Sequence, residues 1–130
     1  MGPPSPSLKI LLVENHEDTL VYLAKYMKRR GHEVLSTRNM QQAIEVISTT
    51  PVHVLISDIG LPDGDGWELM REVQKINPPF YGIAMSGFGM RSDREKSLQA
   101  GYKHHLIKPF MPEELDVILD EAVQAINGKS

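Results

Sequence analysis

The chain predicts a doubly wound α/β domain, in which five short strands alternate with five helices and pair into one parallel sheet covered on both faces. Three observations carry that expectation. Short, largely apolar runs recur along the 130 residues, each bounded by turn-forming residues. Apolar residues at helical spacing fill the intervals between them. The first, third and fourth runs are mostly apolar rather than alternating, the pattern of strands buried on two sides.

Taken in order, residues 8–13 (LKILLV) form the first strand. Residues 15–30 put Leu20, Leu23, Ala24 and Met27 on one helical stripe and stop at Gly31. Residues 33–37 are the second strand. Asn39 caps a helix that turns Ala43, Ile44 and Ile47 inward and ends before Pro51. Residues 52–57 are the third strand. Asp65 caps a helix with Trp67, Leu69, Met70, Val73 and Ile76 on its apolar face, broken by Asn77-Pro78-Pro79. Residues 81–85 are the fourth strand, and a loop with Gly87 and Gly89 leads to a helix from about Ser92 to Ala100. Residues 103–107 make a short fifth strand. Pro112 opens a last helix with Leu115, Ile118, Leu119, Ala122 and Ile126 on one face. Among doubly wound orders, five strands suit the flavodoxin-like 2-1-3-4-5, with the site at the switch point between the first and third strands.

Composition narrows the function. The length suits a single domain, residues 8–127, and the Pro/Ser-rich residues 1–7 read as a linker or a chain end. A net charge of −3 with interspersed signs offers no basic face for nucleic acid. Without cysteine there is no disulfide and no thiolate metal site. Apolar runs reach about four residues, against the ~20 that span a bilayer, so a cytoplasmic protein is expected. Gly128-Lys129-Ser130 imitates the end of a phosphate loop, but no strand or Gly-rich turn precedes it.

The chemistry-bearing residues stand at strand exits. Asp58 follows the third run and precedes Ile59-Gly60-Leu61-Pro62-Asp63-Gly64-Asp65-Gly66; Ser86 closes the fourth run, and Lys108-Pro109 the fifth. An acid, a hydroxyl and an ammonium at the carboxyl ends of one parallel sheet make a phosphate-sized site. Asp63 and Asp65 lack the ligand spacing of a calcium loop and read as turn and cap. His16, His32, His53 and His104 have no paired metal spacing and read as surface or strand residues. Met85, Met90 and Met111 read as packing, and Trp67 as a cover for the core edge.

With Val13-Glu14-Asn15 after the first strand, Met85-Ser86-Gly87 after the fourth and Lys108-Pro109-Phe110 after the fifth, the chain resembles the receiver (response-regulator) domains of two-component phosphorelays over essentially residues 8–126. The resemblance implies that Asp58 accepts a phosphoryl group from a histidine kinase or a histidine phosphotransfer domain. It implies that Glu14, Asn15, Asp58 and the Gly60 carbonyl hold Mg2+, and that Ser86 and Lys108 touch the phosphoryl oxygens. It places His105 at the aromatic switch position, next to the surface formed by the last two strand–helix units, with Ser86 drawn toward the phosphate and His105 turning inward on phosphorylation. A homodimer through the last two strand–helix units fits the same family, as does a cis Lys108-Pro109 bond. Such a module is not an enzyme in its own right; it promotes only its own phosphorylation and dephosphorylation. In the family, the side chains two residues beyond the acceptor and beyond the hydroxyl position the hydrolytic water. Gly60 and Phe88 stand there, which predicts a long-lived phosphate.

Phosphoryl transfer to a carboxylate brings two anions together, so positive charge has to be in place beforehand. The departure from the family is Asn15, where a second acid usually stands. Its neutral amide is expected to cost roughly 1–2 kcal/mol, about ten- to thirtyfold in Mg2+ affinity. It also supports the rival reading, an unphosphorylated pseudo-receiver that serves as an interaction module. A phosphatase with an aspartyl nucleophile is disfavoured, because Gly60 stands where its second acid belongs. The linker-like start and the end just past the last helix favour a receiver excised from a hybrid histidine kinase over a single-domain regulator.

Overall fold

A computed structural model describes residues 7–79, 81–87 and 91–127. Residues 1–6, most of the expected lead-in, lie outside them, as do Phe88, Met90 and the discarded motif at 128–130. The elements run β1 (Lys9–Val13), α1 (Glu17–Arg29), β2 (Glu33–Thr37), α2 (Met40–Thr49), β3 (Val54–Asp58), β4 (Gly60–Leu61), β5 (Gly64–Asp65), α3 (Gly66–Ile76), β6 (Tyr81–Ser86), α4 (Arg91–Ala100), β7 (His104–Ile107) and α5 (Pro112–Asn127). Five strands pair in parallel in the order β2-β1-β3-β6-β7. Leaving aside the small hairpin β4-β5, this is the expected 2-1-3-4-5.

Because side chains alternate along a strand, each central strand feeds two cores. Ile10, Leu12, Val54, Ile56, Ile83 and Met85 pack with Leu20, Leu23 and Met27 of α1 and Leu115, Leu119 and Ala122 of α5. Leu11, Val13, Leu55 and Ala84 pack on the other face with Ala43 and Ile47 of α2 and Leu69, Met70 and Val73 of α3. Each fully buried aliphatic chain contributes on the order of 1.5–3 kcal/mol, so both layers are held independently of the site. The α1 and α4 helices end at Gly31 and Gly101, whose φ angles of +95° and +121° suit a residue without Cβ. Tyr26 of α1 and Arg30, just past its end, both reach Asp116 of α5, at 2.5 and 3.0 Å.

Several boundaries differ from the sequence expectation. The α1 helix starts at Glu17 rather than at 15, because the His16 N–H is drawn to the Glu14 carboxylate at 3.0 Å. β3 begins at Val54, where pairing with Ile10 begins, and it includes Asp58, which pairs with Met85. The turn after Asp58 contains an antiparallel pair, Gly60 with Asp65 and Leu61 with Gly64. Two paired residues per strand are too few to leave a period in the sequence. Asp65 caps α3 as expected, through the Glu68 N–H. Asp63 reaches across to cap α2, accepting from Met40 and Gln41 at 2.7 and 2.9 Å, and those bonds hold its carboxyl below the usual range. Ile76 and Met111, expected inside, are 43% and 63% exposed.

Two histidines hold the start of β1. His32 Nδ1 accepts the Leu8 N–H at 3.1 Å, and His53 Nδ1 accepts the Lys9 N–H at 2.9 Å. Burial pushes the His32 pKa down, against the pull of Asp120 and Asp116. An imidazolium cannot accept at Nδ1, so the folded state needs the neutral ring. The unfolded chain then binds the proton more readily. The stabilisation is therefore complete above the unfolded pKa of about 6.5 and is lost as pH falls below it, through the lower folded value. Urea midpoints should drop more between about pH 7.5 and about pH 5.5 in wild type than in His32→Asn, whose amide oxygen accepts without titrating. Equal drops would remove His32 from the acid response.

Gly66, the first residue of α3, lies against the exit of β3. A Cβ there would stand 2.6 Å from the Asp58 carbonyl oxygen and 3.1 Å from the Ile59 Cα, and the Gly66 N–H donates to Ile59 O at 2.7 Å. Backbone cannot step aside as a side-chain tip does. Gly66→Ala should cost about 1–3 kcal/mol in denaturant unfolding. Gly60→Ala, with nothing within 4 Å of its Cβ, should stay within about 0.5 kcal/mol.

Candidate functional site

Parallel register brings the site residues to one end of the sheet. Beyond Val13, the Glu14 N–H donates to Thr37 O at 3.0 Å and continues the ladder between β1 and β2. Asp58 closes β3 and Ser86 closes β6. One residue past β7, the Lys108 N–H donates to Ser86 O at 2.7 Å, so the hydroxyl and the ammonium residues share a backbone bond. The Lys108–Pro109 peptide bond is cis, as the resemblance implies.

Lys108 Nζ donates to Asp58 Oδ2 at 2.6 Å and to Glu14 Oε1 at 2.7 Å. The other oxygen of each carboxylate accepts a backbone N–H, Glu14 Oε2 from His16 at 3.0 Å and Asp58 Oδ1 from Gly60 at 3.2 Å. Glu14 is 1% exposed, and Asp58 and Lys108 are partly open to solvent. Burial pushes the Lys108 pKa down, but bonding to Asp58 and Glu14 and their negative charges more than reverse that, leaving it raised. The ammonium therefore stays charged at neutral pH. Two carboxylates and one ammonium leave a formal charge of −1 at the sheet's end.

Of the metal donors the resemblance implies, the structure joins the Glu14 and Asp58 carboxylates through Lys108, while Asn15 lies exposed on the loop after β1 and Gly60 lies exposed two residues past Asp58. Among the described residues no cluster of three or more His, Cys, Asp or Glu side chains forms, in keeping with an amide at position 15. A set of hard oxygens carrying two acids suits Mg2+ and its retained waters. The residual −1 charge also calls for a cation before a phosphoryl group can approach.

His105 sits behind Ser86. Its Nε2 lies 2.8 Å from Ser86 Oγ and its Nδ1 2.8 Å from Ser97 Oγ on α4, while Trp67 Nε1 on α3 donates to Ser97 Oγ at 3.0 Å. Burial, and then the charge of Arg94, hold the His105 pKa below its ordinary value, against Asp93. The expected inward turn thus starts from a ring already joined to both serines. Phe88 lies outside the described residues. Ser97 was not foreseen in the sequence; its signal is the spacing with Ala100, the two small residues buried among the described side chains of a largely charged helix. Trp67 covers the core edge as expected and is also a link in this chain.

On the opposite flank, an apolar recess of about 540 Å³ is lined by Asp18, Thr19, Tyr22 and Leu23 of α1 with Lys108, Pro109 and Phe110. Lys108 thus forms part of both the carboxylate cluster and the recess wall.

Known proteins share this arrangement of elements. The response regulator receiver domain family matches residues 10–120. The chain is 31% identical over 120 residues to the transcriptional regulatory protein CssR of Bacillus subtilis (strain 168), covering 92% of this chain and 53% of that protein. It is 31% identical over 108 residues to the transcriptional regulatory protein CusR of Escherichia coli (strain K12), covering 83% of this chain and 48% of that protein. The chain thus spans about half the length of these two relatives. A solved response regulator receiver domain protein from Methanospirillum hungatei JF-1 shares the fold with a TM-score of 0.88 at 23% identity, covering 96% of this chain and 100% of that one. A family match over residues 10–120, on a five-stranded parallel sheet in the order 2-1-3-4-5, places the chain in the response regulator receiver domain family.

Proposed function

We propose that the protein receives a phosphoryl group on Asp58 from a phosphohistidine of a histidine kinase or a histidine phosphotransfer domain, with Mg2+ as cofactor. The observation that supports this most is Lys108 Nζ seated between Asp58 and Glu14. An Asp58 carboxylate oxygen attacks phosphorus, the P–N bond of the donor breaks, and the imidazole leaves. Lys108 transfers its hydrogen bond from Asp58 Oδ2 to a phosphoryl oxygen, and Ser86 engages another. Glu14, buried and still bonded to the ammonium, keeps Lys108 at the site as charge moves onto the phosphoryl group. Glu14, Asp58, Asn15 and the Gly60 carbonyl would hold Mg2+, which would supply the remaining positive charge that the phosphoryl group requires.

The recess supports docking of the donor, because it opens between α1 and Lys108, which would meet the phosphoryl group. Leu98, Ile107 and Val117, exposed on α4, β7 and α5, support self-association through the last two strand–helix units. No helix among the described residues is long and apolar enough to cross a membrane, and we place the domain in the cytoplasm.

Intact mass after incubation with Mg2+ and acetyl phosphate should show one added phosphate in wild type and none in Asp58→Asn. Equal labelling of the variant would move the acceptor elsewhere, and an unlabelled wild type would establish the pseudo-receiver instead. Titration calorimetry should show Asn15→Asp binding Mg2+ about tenfold more tightly or better. An unchanged affinity would mean that position 15 does not face the ion.

A further inference from the structure

Behind the phosphoryl site, Ser86, His105, Ser97 and Trp67 form an unbroken chain of hydrogen bonds from β6 through β7 and α4 to α3. We infer that Trp67 and Ser97 are positioning residues of the phosphoryl site: acting through His105, they direct the Ser86 hydroxyl proton toward the phosphoryl group. The inference rests on the phosphoacceptor reading above.

The polarity of the chain follows from its far end. An indole N–H only donates, so Ser97 Oγ accepts from Trp67. Ser97 is 0% exposed, and a buried hydroxyl proton needs an acceptor. His105 Nδ1, 2.8 Å away, is the other side-chain partner of that hydroxyl. If Nδ1 accepts, the proton of the neutral ring sits on Nε2, which then donates to Ser86 Oγ at 2.8 Å. Burial and Arg94 favour that neutral ring.

The consequence falls on Ser86. When Ser86 Oγ accepts from His105, its own proton points away from the ring, and a phosphoryl oxygen can take that proton in a charge-assisted bond. Under the opposite polarity, Ser86 would donate to His105 and present only lone pairs to an anion. Trp67 therefore orients a hydroxyl with which it makes no direct contact. The face of α3 and α4 around Trp67, where Lys96 Nζ lies 5.0 Å from the ring centroid, is joined to the site through this chain of hydrogen bonds.

Nitrogen-15 shifts of the His105 ring in the unphosphorylated full chain test the polarity directly. Wild type should show an unprotonated Nδ1 and a protonated Nε2. Ser97→Ala removes the donor to Nδ1 and should give a tautomer mixture, with phosphorylation of Asp58 by acetyl phosphate slowed about tenfold. Mg2+ affinity should not change, and Ser97→Thr should restore both tautomer and rate. Trp67→Phe keeps an aromatic ring but loses the N–H. It should shift the tautomer in the same direction, and it carries the test if Ser97→Ala fails to fold. A wild-type ring protonated on Nδ1, or a tautomer shift without any change of rate, would overturn the inference. An unlabelled wild type would instead overturn the phosphoacceptor reading, and the tautomer, read without phosphate, keeps the two failures apart.

Discussion

Glu14 and Asp58 approach each other at the carboxyl end of the sheet because the register of β1 and β3 leaves them side by side, and Lys108 makes that approach tolerable. Two unit charges about 4 Å apart repel by roughly 4 kcal/mol at the effective dielectric of a protein's edge. Glu14, buried, has no water to relieve it. The ammonium between the two acids, with one backbone N–H on the outer oxygen of each, turns a repulsive pair into a closed cluster. Removing the ammonium would leave the buried Glu14 carboxylate without its ion partner, at a cost below the roughly 3–5 kcal/mol of a fully buried pair because Lys108 and Asp58 are partly open to solvent, and this ties the fold at this end to the chemistry it can perform.

The cluster has little freedom to drift, because its backbone is fastened on several sides. The Lys108 N–H is bonded to Ser86 O, the Ile59 N–H to Met85 O and the Gly66 N–H to Ile59 O. Behind Gly66, the buried Tyr102 hydroxyl donates to Gly66 O at 2.6 Å, and burial raises its pKa, so it remains a donor throughout the physiological range. A site that must meet a phosphoryl group with ready-aimed charge gains most from support of this kind. Its two flanks differ in character. Toward α1 lies an apolar recess suited to a partner surface, and toward α4 lies a chain of hydrogen bonds suited to carrying orientation.

How much of this was legible beforehand depended on how local the signal was. The alternation of short apolar runs with helical stripes determined the fold and its strand order, because burial on both faces imposes a residue pattern along each strand and helix. Asp58, Ser86 and Lys108 were legible as a set because each ends such a run, and parallel strands deliver their carboxyl ends to a common edge. The caps at Asn39 and Asp65 were readable for the same reason, each bonding within four residues of itself.

What only the tertiary structure decided involves partners far apart in the chain. Lys108 meets Glu14 across 94 residues and Asp58 across 50, and no local pattern announces that one ammonium holds both. Asp63 caps the preceding helix rather than its own turn, and His32 and His53 lend ring nitrogens to the start of β1. Ser97 looks like one more polar residue in a charged helix until folding sets it between Trp67 and His105. The sequence by itself determined which residues reach the carboxyl end of the sheet, since that follows from periodicity. The tertiary structure decided how their charges and protons are shared, since a hydrogen bond has direction and reach that depend on the distant group opposite it.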